Sequence, residues 1–146
     1  MKEALIQLAA AFVGALGFGL LFGLRRRHLF AASLGGLLAW GVYLLTTRWL
    51  GEGFMPNFFA SAFSVFYAEL LAHLLKSPAT LYLTPAIIPL VPGGSLYYAM
   101  SWAVQGEMEQ ARAYGMATLK AALAIAAGIS IVLALRELQT RRPSNG

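Results

Sequence analysis

The sequence contains no cysteine and has few charged residues. Without thiols the chain can form no disulfide, no thiolate metal site and no cysteine nucleophile. Charged side chains make up 12% of the 146 residues, which is about half of the roughly 25% that soluble domains carry. This leaves too little polar surface to keep a small chain in water, and the apolar residues stand in long blocks. The composition therefore predicts a membrane protein.

Common enzyme signatures are also missing. The sequence has no His-Glu-x-x-His and no Gly-x-Ser-x-Gly motif. Glu69 and His73 supply two potential ligands, whereas a catalytic zinc ion needs about three. The net charge of +5 sits at the ends of apolar segments, where membrane topology requires it. We therefore predict no catalytic activity, no cofactor, no bound metal and no nucleic-acid partner.

The apolar blocks divide the chain into segments that are long enough for membrane helices. We predict an all-α membrane protein, a bundle of about five hydrophobic helices of which the fourth is broken by proline and glycine. The spans run over about residues 4–24, 29–50, 58–75, 79–104 and 113–135, in a single domain of residues 1–135. Residues 136–146 should form a basic, polar and disordered cytoplasmic tail. The first block is too long for the apolar core of a signal peptide and ends in three arginines, which indicates a retained span.

Small residues recur every four positions in several segments, which places them on one face of each helix. Such faces let membrane helices approach closely, although small residues that simply face lipid are the alternative. The small positions are Ala11, Ala15, Gly19 and Gly23; Ala31, Gly35 and Ala39; Ala60, Ser64, Ala68 and Ala72; and Ala117, Ala121, Ala124 and Gly128. The opposite face of the third segment, with Phe59, Phe63, Phe66 and Leu70, suits lipid.

Three ionisable residues lie in or near the spans: Glu69, His73 and Arg48. If the protein moves a solute across the membrane, they are candidates for proton coupling or for lining the pathway of that solute. Glu69 and His73 are four residues apart and therefore share a helix face. A carboxylate within a span costs roughly 3 kcal/mol or more unless it is partnered or protonated, so Glu69 could carry a proton. The alternative is that these side chains lie near helix ends and reach the headgroups. His28 follows Arg25–Arg27 and is interpreted as a solvated neighbour of a topology signal.

The most unusual stretch is apolar but contains Pro85, Pro89 and Pro92, followed by Gly93-Gly94. Each proline removes an amide donor and clashes with the carbonyl four residues earlier. Unbonded backbone groups are tolerated in a membrane only where protein or water satisfies them, so this segment should face a cavity or the bundle interior. Broken helices of this kind mark binding sites in secondary transporters, and the alternative is a structural kink.

A helix that restarts at Gly94 or Ser95 should run to about Gln105 and offer its first, unpaired amides to a carboxylate. Ser95 is expected to be the N-cap or to bind the solute itself. The carbonyls freed by the prolines would be those of Leu81, Pro85 and Ile88. Seven residues are predicted to bind the solute: Pro89, Pro92, Gly93, Gly94, Ser95, Tyr97 and Tyr98.

The distribution of lysine and arginine predicts the orientation of the chain. If all five segments cross and the turn at Arg25–Arg27 is cytoplasmic, seven basic residues lie inside and four outside. If the fourth segment only re-enters, the split becomes six and five. The first arrangement fits the positive-inside rule better, which puts the N-terminus outside and the C-terminus in the cytoplasm.

A family resemblance rests mainly on residues 58–100. Residues 85–100 follow the pattern PxxxPxxPGxxxYxAM, which Phe58-Phe-Ala-Ser61, Ala68-Glu-Leu-Leu-Ala72 and Lys76-Ser-Pro78 precede, with a weaker echo in Gly17-Phe-Gly19 and Gly35-Gly36. These residues resemble the threonine/serine exporter family, specifically its C-terminal membrane half, which in many bacteria is a separate short protein. The resemblance covers nearly the whole chain. It implies export of a small polar metabolite such as threonine, serine or succinate, and a companion membrane subunit that matches the missing N-terminal half.

We therefore expect a subunit of a secondary exporter, working by antiport in the bacterial inner membrane, for a small carboxylate-bearing solute. The half-helix that begins at Gly93 to Ser95 would hold the carboxylate, with Tyr97, Tyr98 and Arg48 along the route and Glu69 exchanging a proton. A non-transporting assembly partner is the alternative, because small-residue faces suit either role, although a helix used only for packing does not need the break. The expected partners are the lipid bilayer, the companion subunit and the solute, and a homo-oligomer stays open.

Overall fold

A computed structural model describes residues 2–140, and their regular structure is helical throughout. The helices are α1 (Lys2–Leu21), α2 (Arg26–Leu50), α3 (Phe54–Leu75), α4 (Thr80–Ile87), α5 (Gly93–Val104) and α6 (Met108–Thr140), with a 3-10 turn at Ile88–Leu90. Four of them, α1, α2, α3 and α6, are long and apolar enough to cross a membrane. A helix bonds its backbone groups internally, as a lipid environment requires. The prediction of an all-α, multi-pass membrane bundle is confirmed.

The small-residue faces form the contacts between helices, as the sequence predicts. Their buried members are Ala11, Ala15 and Gly19 in α1, Gly35 and Ala39 in α2, Ala60, Ser64 and Ala68 in α3, and Ala124 and Gly128 in α6. Three further members, Ala31, Ala72 and Ala121, are half-buried. Two are exposed: Gly23, which lies beyond the end of α1 in a turn with a φ of 69°, and Ala117. Phe59 and Phe66 on the opposite face of α3 are exposed. Small side chains therefore line most of the contacts between the long helices, and many bulky apolar ones point outward, although Tyr82 and Leu90 are buried.

Helix α6 approaches α3 closely at Gly128. A Cβ atom on Gly128 would lie 2.6 Å from the carbonyl oxygen of Phe58 and would overlap the Ser61 hydroxyl, so only glycine permits this distance between the backbones. Eight residues further along α6, Arg136 pairs with Glu69, which is itself eight residues beyond Ser61. The two helices therefore run parallel.

In the sequence between α3 and α6, the chain runs back in the opposite direction through α4, the 3-10 turn and α5. Tyr82 of α4 packs in one cluster with Ala68, whereas Leu90 packs in another with Ala60. Since the numbers rise along α4 as they fall along α3, the two helices are antiparallel. Helix α5, which follows the 3-10 turn, packs chiefly against α6.

Short turns join α1, α2 and α3, so these helices alternate in direction. The turn with Arg25–Arg27 consequently lies at the same end of the bundle as the C-terminal ends of α3 and α6. The start of α1 and the turn of residues 51–53 lie at the other end. This arrangement separates the two ends of the described chain.

His28 is a structural residue, and its interpretation as a solvated neighbour of the arginines is wrong. Its Nδ1 lies 2.7 Å from the hydroxyl of Tyr82, a side chain that is fully buried. The ring is half-buried because the start of α2 packs beside α4. This hydrogen bond therefore joins the two helices near the arginine turn.

Several helix boundaries differ from the prediction by a few residues, among them the end of α1, the start of α2 and both ends of α6. Helix α3 begins at Phe54, before the predicted start at residue 58. Pro56 is compatible with this start because it stands in the first helical turn, where an amide has no partner to lose. Helix α6 continues to Thr140, so residues 136–140 are helical and not part of a disordered tail. The ion pair of Arg136 with Glu69 fastens this part of α6 to α3. The remainder of the predicted tail, residues 141–146, lies outside the described residues.

Candidate functional site

The prolines of the fourth segment have different effects on its backbone. Pro85 lies inside α4 without ending it, Pro89 belongs to the 3-10 turn, and Pro92 immediately precedes α5. Val91 leaves the helical conformation, with a ψ of 125°, as is usual for a residue that precedes proline. Its amide donates to the carbonyl oxygen of Ile88 at 3.2 Å, so the prediction that this carbonyl is unbonded is wrong. The break between the helical pieces falls at Val91-Pro92.

Helix α5 begins at Gly93, whose amide donates to the Val91 carbonyl oxygen at 2.7 Å. Pro92 is its N-cap and supplies no side-chain hydrogen bond. The Leu96 amide donates to the Pro92 carbonyl oxygen at 3.1 Å, but within the described residues the amides of Gly94 and Ser95 have no backbone acceptor. Unpaired amides at a helix start carry a partial positive charge. The start of α5 can therefore attract an anion.

Ser95 lies in the first turn of α5, and the prediction that it is the N-cap is wrong because the helix begins earlier. Its hydroxyl donates to the carbonyl oxygen of Pro92 at 3.1 Å. The Thr118 hydroxyl oxygen of α6 lies 3.0 Å from the Ser95 hydroxyl oxygen. The Ser95 hydroxyl thus links α5 to α6, while its backbone amide stays available.

A cavity of about 600 Å³ lies beside the break, and we call it the break cavity. Its size falls within the roughly 300–1,000 Å³ of small-molecule sites. Of the seven residues predicted to bind the solute, four line it: Pro89, Pro92, Gly94 and Ser95. The other three, Gly93, Tyr97 and Tyr98, are not among its lining residues, and the two tyrosine side chains are 67% and 51% exposed.

Aromatic side chains form part of the cavity wall. Trp40 and Tyr43 come from α2, and their rings stack with centroids 4.7 Å apart. Tyr114 comes from α6 and meets the ring of Tyr98 with centroids 5.5 Å apart. Tyr98 therefore supports the wall from outside the cavity.

Sequence reasoning missed three polar residues of the break cavity. Lys120 comes from α6, Glu52 from the turn between α2 and α3, and Asn57 from the first turn of α3. A signal for Lys120 was present, because it is the only charged residue in the predicted span of residues 113–135. The sequence around Glu52 and Asn57 gave no such signal, since both residues are remote from the break along the chain.

The sequence model of the family described as "Threonine/Serine exporter, ThrE" matches residues 7–135. The chain belongs to the threonine/serine exporter family. This membership makes it a transporter-type membrane protein and confirms the family resemblance. The matched part of this exporter includes all of the residues that line the break cavity, from Trp40 to Ala121. No curated protein and no solved structure matches the chain.

Glu69 and His73 of this exporter lie away from the break cavity. A nitrogen of the Arg136 guanidinium forms an ion pair with Glu69, and another lies 3.2 Å from His73 Nε2. The Glu69 side chain is 14% exposed and that of Arg136 is 42% exposed. The guanidinium compensates a carboxylate that would otherwise be costly in a membrane. Glu69 lies twelve residues along α3 from Asn57, which lines the break cavity, and this corresponds to roughly 18 Å at 1.5 Å per residue. Proton exchange at Glu69 stays a prediction.

Arg48 lines a different cavity, of about 550 Å³, together with Glu3, Gln7 and Thr47. This cavity lies between α1 and α2 and shares no residue with the break cavity. The three predicted pathway residues therefore occupy two separate places in the exporter, and neither adjoins the start of α5.

Proposed function

We propose that the chain is the membrane subunit of a secondary exporter for small carboxylate-bearing metabolites: threonine, serine or a dicarboxylate such as succinate. Membership of the exporter family supports transport of such a solute. The observation that carries the site is the break cavity, where Lys120 and the start of α5 meet. Both groups attract an anion.

The solute carboxylate binds between the Lys120 ammonium and the unpaired amides of Gly94 and Ser95. Backbone amides at a helix start and an ammonium group are both good donors to a carboxylate. The donors belong to α5 and α6, whereas Pro89 lines the cavity from the other side of the break. Bending at Val91-Pro92 would change the distance between these walls, as alternating access requires.

The chain lies in the bacterial plasma membrane with its N-terminus outside and its C-terminus in the cytoplasm. The described basic residues divide between the ends of the bundle as Arg25, Arg26, Arg27, Lys76 and Arg136 against Lys2, Arg48, Arg112 and Lys120. The excess in the first group supports its cytoplasmic position. All five predicted segments then cross, and the break cavity lies toward the outside, where an exporter releases its solute.

A companion membrane subunit that resembles the family's N-terminal half completes the transporter, which works by antiport. The lining residues Gly94, Met116 and Lys120 are exposed in the single chain. A cavity with so open a wall cannot isolate a solute from its surroundings, so a second chain is needed to close it. A second copy of this chain is the other occupant to be tested.

Efflux of labelled threonine, serine and succinate from cells tests the proposal. The assay compares the companion alone, this chain alone and the pair, and then the pair carrying Gly94→Leu. A Cβ atom on Gly94 has nothing within 4 Å, so a leucine there meets no clash at its Cβ atom and should narrow the cavity that Gly94 lines. Gly93→Leu is the matched control, because Gly93 is equally open but does not line the cavity.

We expect efflux to require both chains, to be lost in Gly94→Leu and to persist in Gly93→Leu. Efflux that continues without this chain would instead favour a non-transporting assembly partner. Equal losses in the two leucine variants would remove the support for a site in the break cavity.

A further inference from the structure

Two opposite charges face the break cavity. Lys120 reaches it from α6, and Glu52 reaches it from the turn between α2 and α3. Within residues 2–140 neither side chain forms an ion pair, either with the other or with a third group. Both charges are therefore free to act on a solute in the cavity.

A cavity with one cation and one anion is complementary to a solute that carries both charges. Threonine and serine have an ammonium and a carboxylate on the same carbon atom, whereas a dicarboxylate has two anionic groups. Lys120 attracts a carboxylate of either solute. Glu52 attracts an ammonium but repels a second carboxylate, so the two solutes differ in their interaction with this residue.

We propose that Glu52 is the residue that makes the break cavity select a zwitterionic amino acid over a dicarboxylate. Glu52 binds the ammonium of the solute, while Lys120 and the start of α5 bind its carboxylate. The inference rests on the proposed function, because it requires that the carboxylate binds at Lys120.

The backbone on both sides of Glu52 is hydrogen-bonded, which suits a residue that discriminates by charge. The flanking glycines, Gly51 and Gly53, have φ values of 76° and 139°, a conformation that other residues rarely adopt. The Gly51 amide donates to the Thr47 carbonyl oxygen at 2.9 Å, and Asn57 Nδ2 donates to the Gly53 carbonyl oxygen at 2.9 Å. These hydrogen bonds place the Glu52 backbone beside the cavity without any solute present.

The test measures efflux of threonine and of succinate in parallel from cells that produce the pair of chains. Glu52→Gln keeps the size of the side chain and removes its charge, and Lys120→Gln does the same for the cation. Glu107→Gln is the matched control, because it changes the net charge equally at an exposed residue outside the cavity. Glu52→Asp retains the charge, and immunoblots of the membrane fraction correct for the amount of each variant.

We expect Glu52→Gln to lower threonine efflux about tenfold, equivalent to about 1.4 kcal/mol, and to leave succinate efflux unchanged or higher. Glu52→Asp and Glu107→Gln should keep the ratio of the two effluxes, whereas Lys120→Gln should lower both.

Two results would overturn the selective role of Glu52 while the proposed function stands. One is an unchanged ratio in Glu52→Gln, and the other is an equal loss of both effluxes in that variant, in each case with Lys120→Gln still lowering both. If neither Lys120→Gln nor Gly94→Leu lowers efflux, the proposed function itself fails and the inference fails with it.

Discussion

Replacement of Gly128 by alanine should lower the free energy of unfolding by about 2 kcal/mol. The new methyl carbon would lie 2.6 Å from the Phe58 carbonyl oxygen and 3.2 Å from the Ala62 amide nitrogen, and it would overlap the Ser61 hydroxyl. The hydroxyl can rotate, but the backbone atoms cannot, so α3 and α6 must move apart. Overpacking costs about 1–3 kcal/mol, and we expect the upper value because backbone atoms obstruct the methyl group. Alanine recovers about 1 kcal/mol through its higher helix propensity.

The purified chain in detergent can be unfolded by titration with a denaturing detergent while tryptophan fluorescence reports the transition. Gly115→Ala is the matched control, since it makes the same substitution in the same helix with nothing within 4 Å of the new carbon. It should leave the free energy of unfolding unchanged or raise it by up to about 1 kcal/mol. Equal midpoints for Gly128→Ala and Gly115→Ala would refute the close contact between α3 and α6.

Two further predictions concern polar pairs between helices. Tyr82→Phe should lower the free energy of unfolding by about 1 kcal/mol, because it removes the hydroxyl that is bonded to His28; an unchanged midpoint in the same titration would mean that this bond adds no stability. Arg136→Gln should destabilise the fold more than Glu69→Gln, because the first strands a largely buried carboxylate while the second leaves a guanidinium that can extend toward the headgroups. The reverse order would contradict this reasoning. If the Glu69→Gln variant exports the solute at the full rate and the export is still driven by a pH gradient, proton exchange at Glu69 is excluded.

The parts of the fold that depend on local pattern were predictable from the sequence. Apolar length identified the helices, and the four-residue spacing of small residues identified buried positions such as Ala15, Ala60 and Ala68. The three prolines identified the position of the break. Each of these features is a property of neighbouring residues, so no knowledge of long-range contacts was needed.

The residues that meet across long separations were not predictable in the same way. Glu52 and Lys120 reach one cavity although 68 positions separate them, and no periodicity links the two. The basic and polar residues after position 135 predict a disordered tail that includes Arg136, but Glu69 provides Arg136 with a partner on another helix. The hydrogen bond with the Tyr82 hydroxyl likewise gives His28 a structural role that the sequence around it does not indicate. In each case the missing information was the packing of one helix on another.

The small-residue interior also has a consequence for the entropy of assembly. Alanine and glycine have no side-chain rotamers to lose on burial, whereas leucine loses about 0.5–1 kcal/mol of rotamer freedom and methionine up to about 2. Ala15, Ala32, Ala39, Ala60 and Ala68 are all fully buried, so bringing these helices together restricts few torsions. Many side chains with several rotamers, such as Leu5, Leu21 and Met100, lie outward, where fluid lipid would let them continue to change rotamer. Helices that meet through such faces can also shift against each other with few side chains to reorient, a property that suits a protein whose parts must move during each transport cycle.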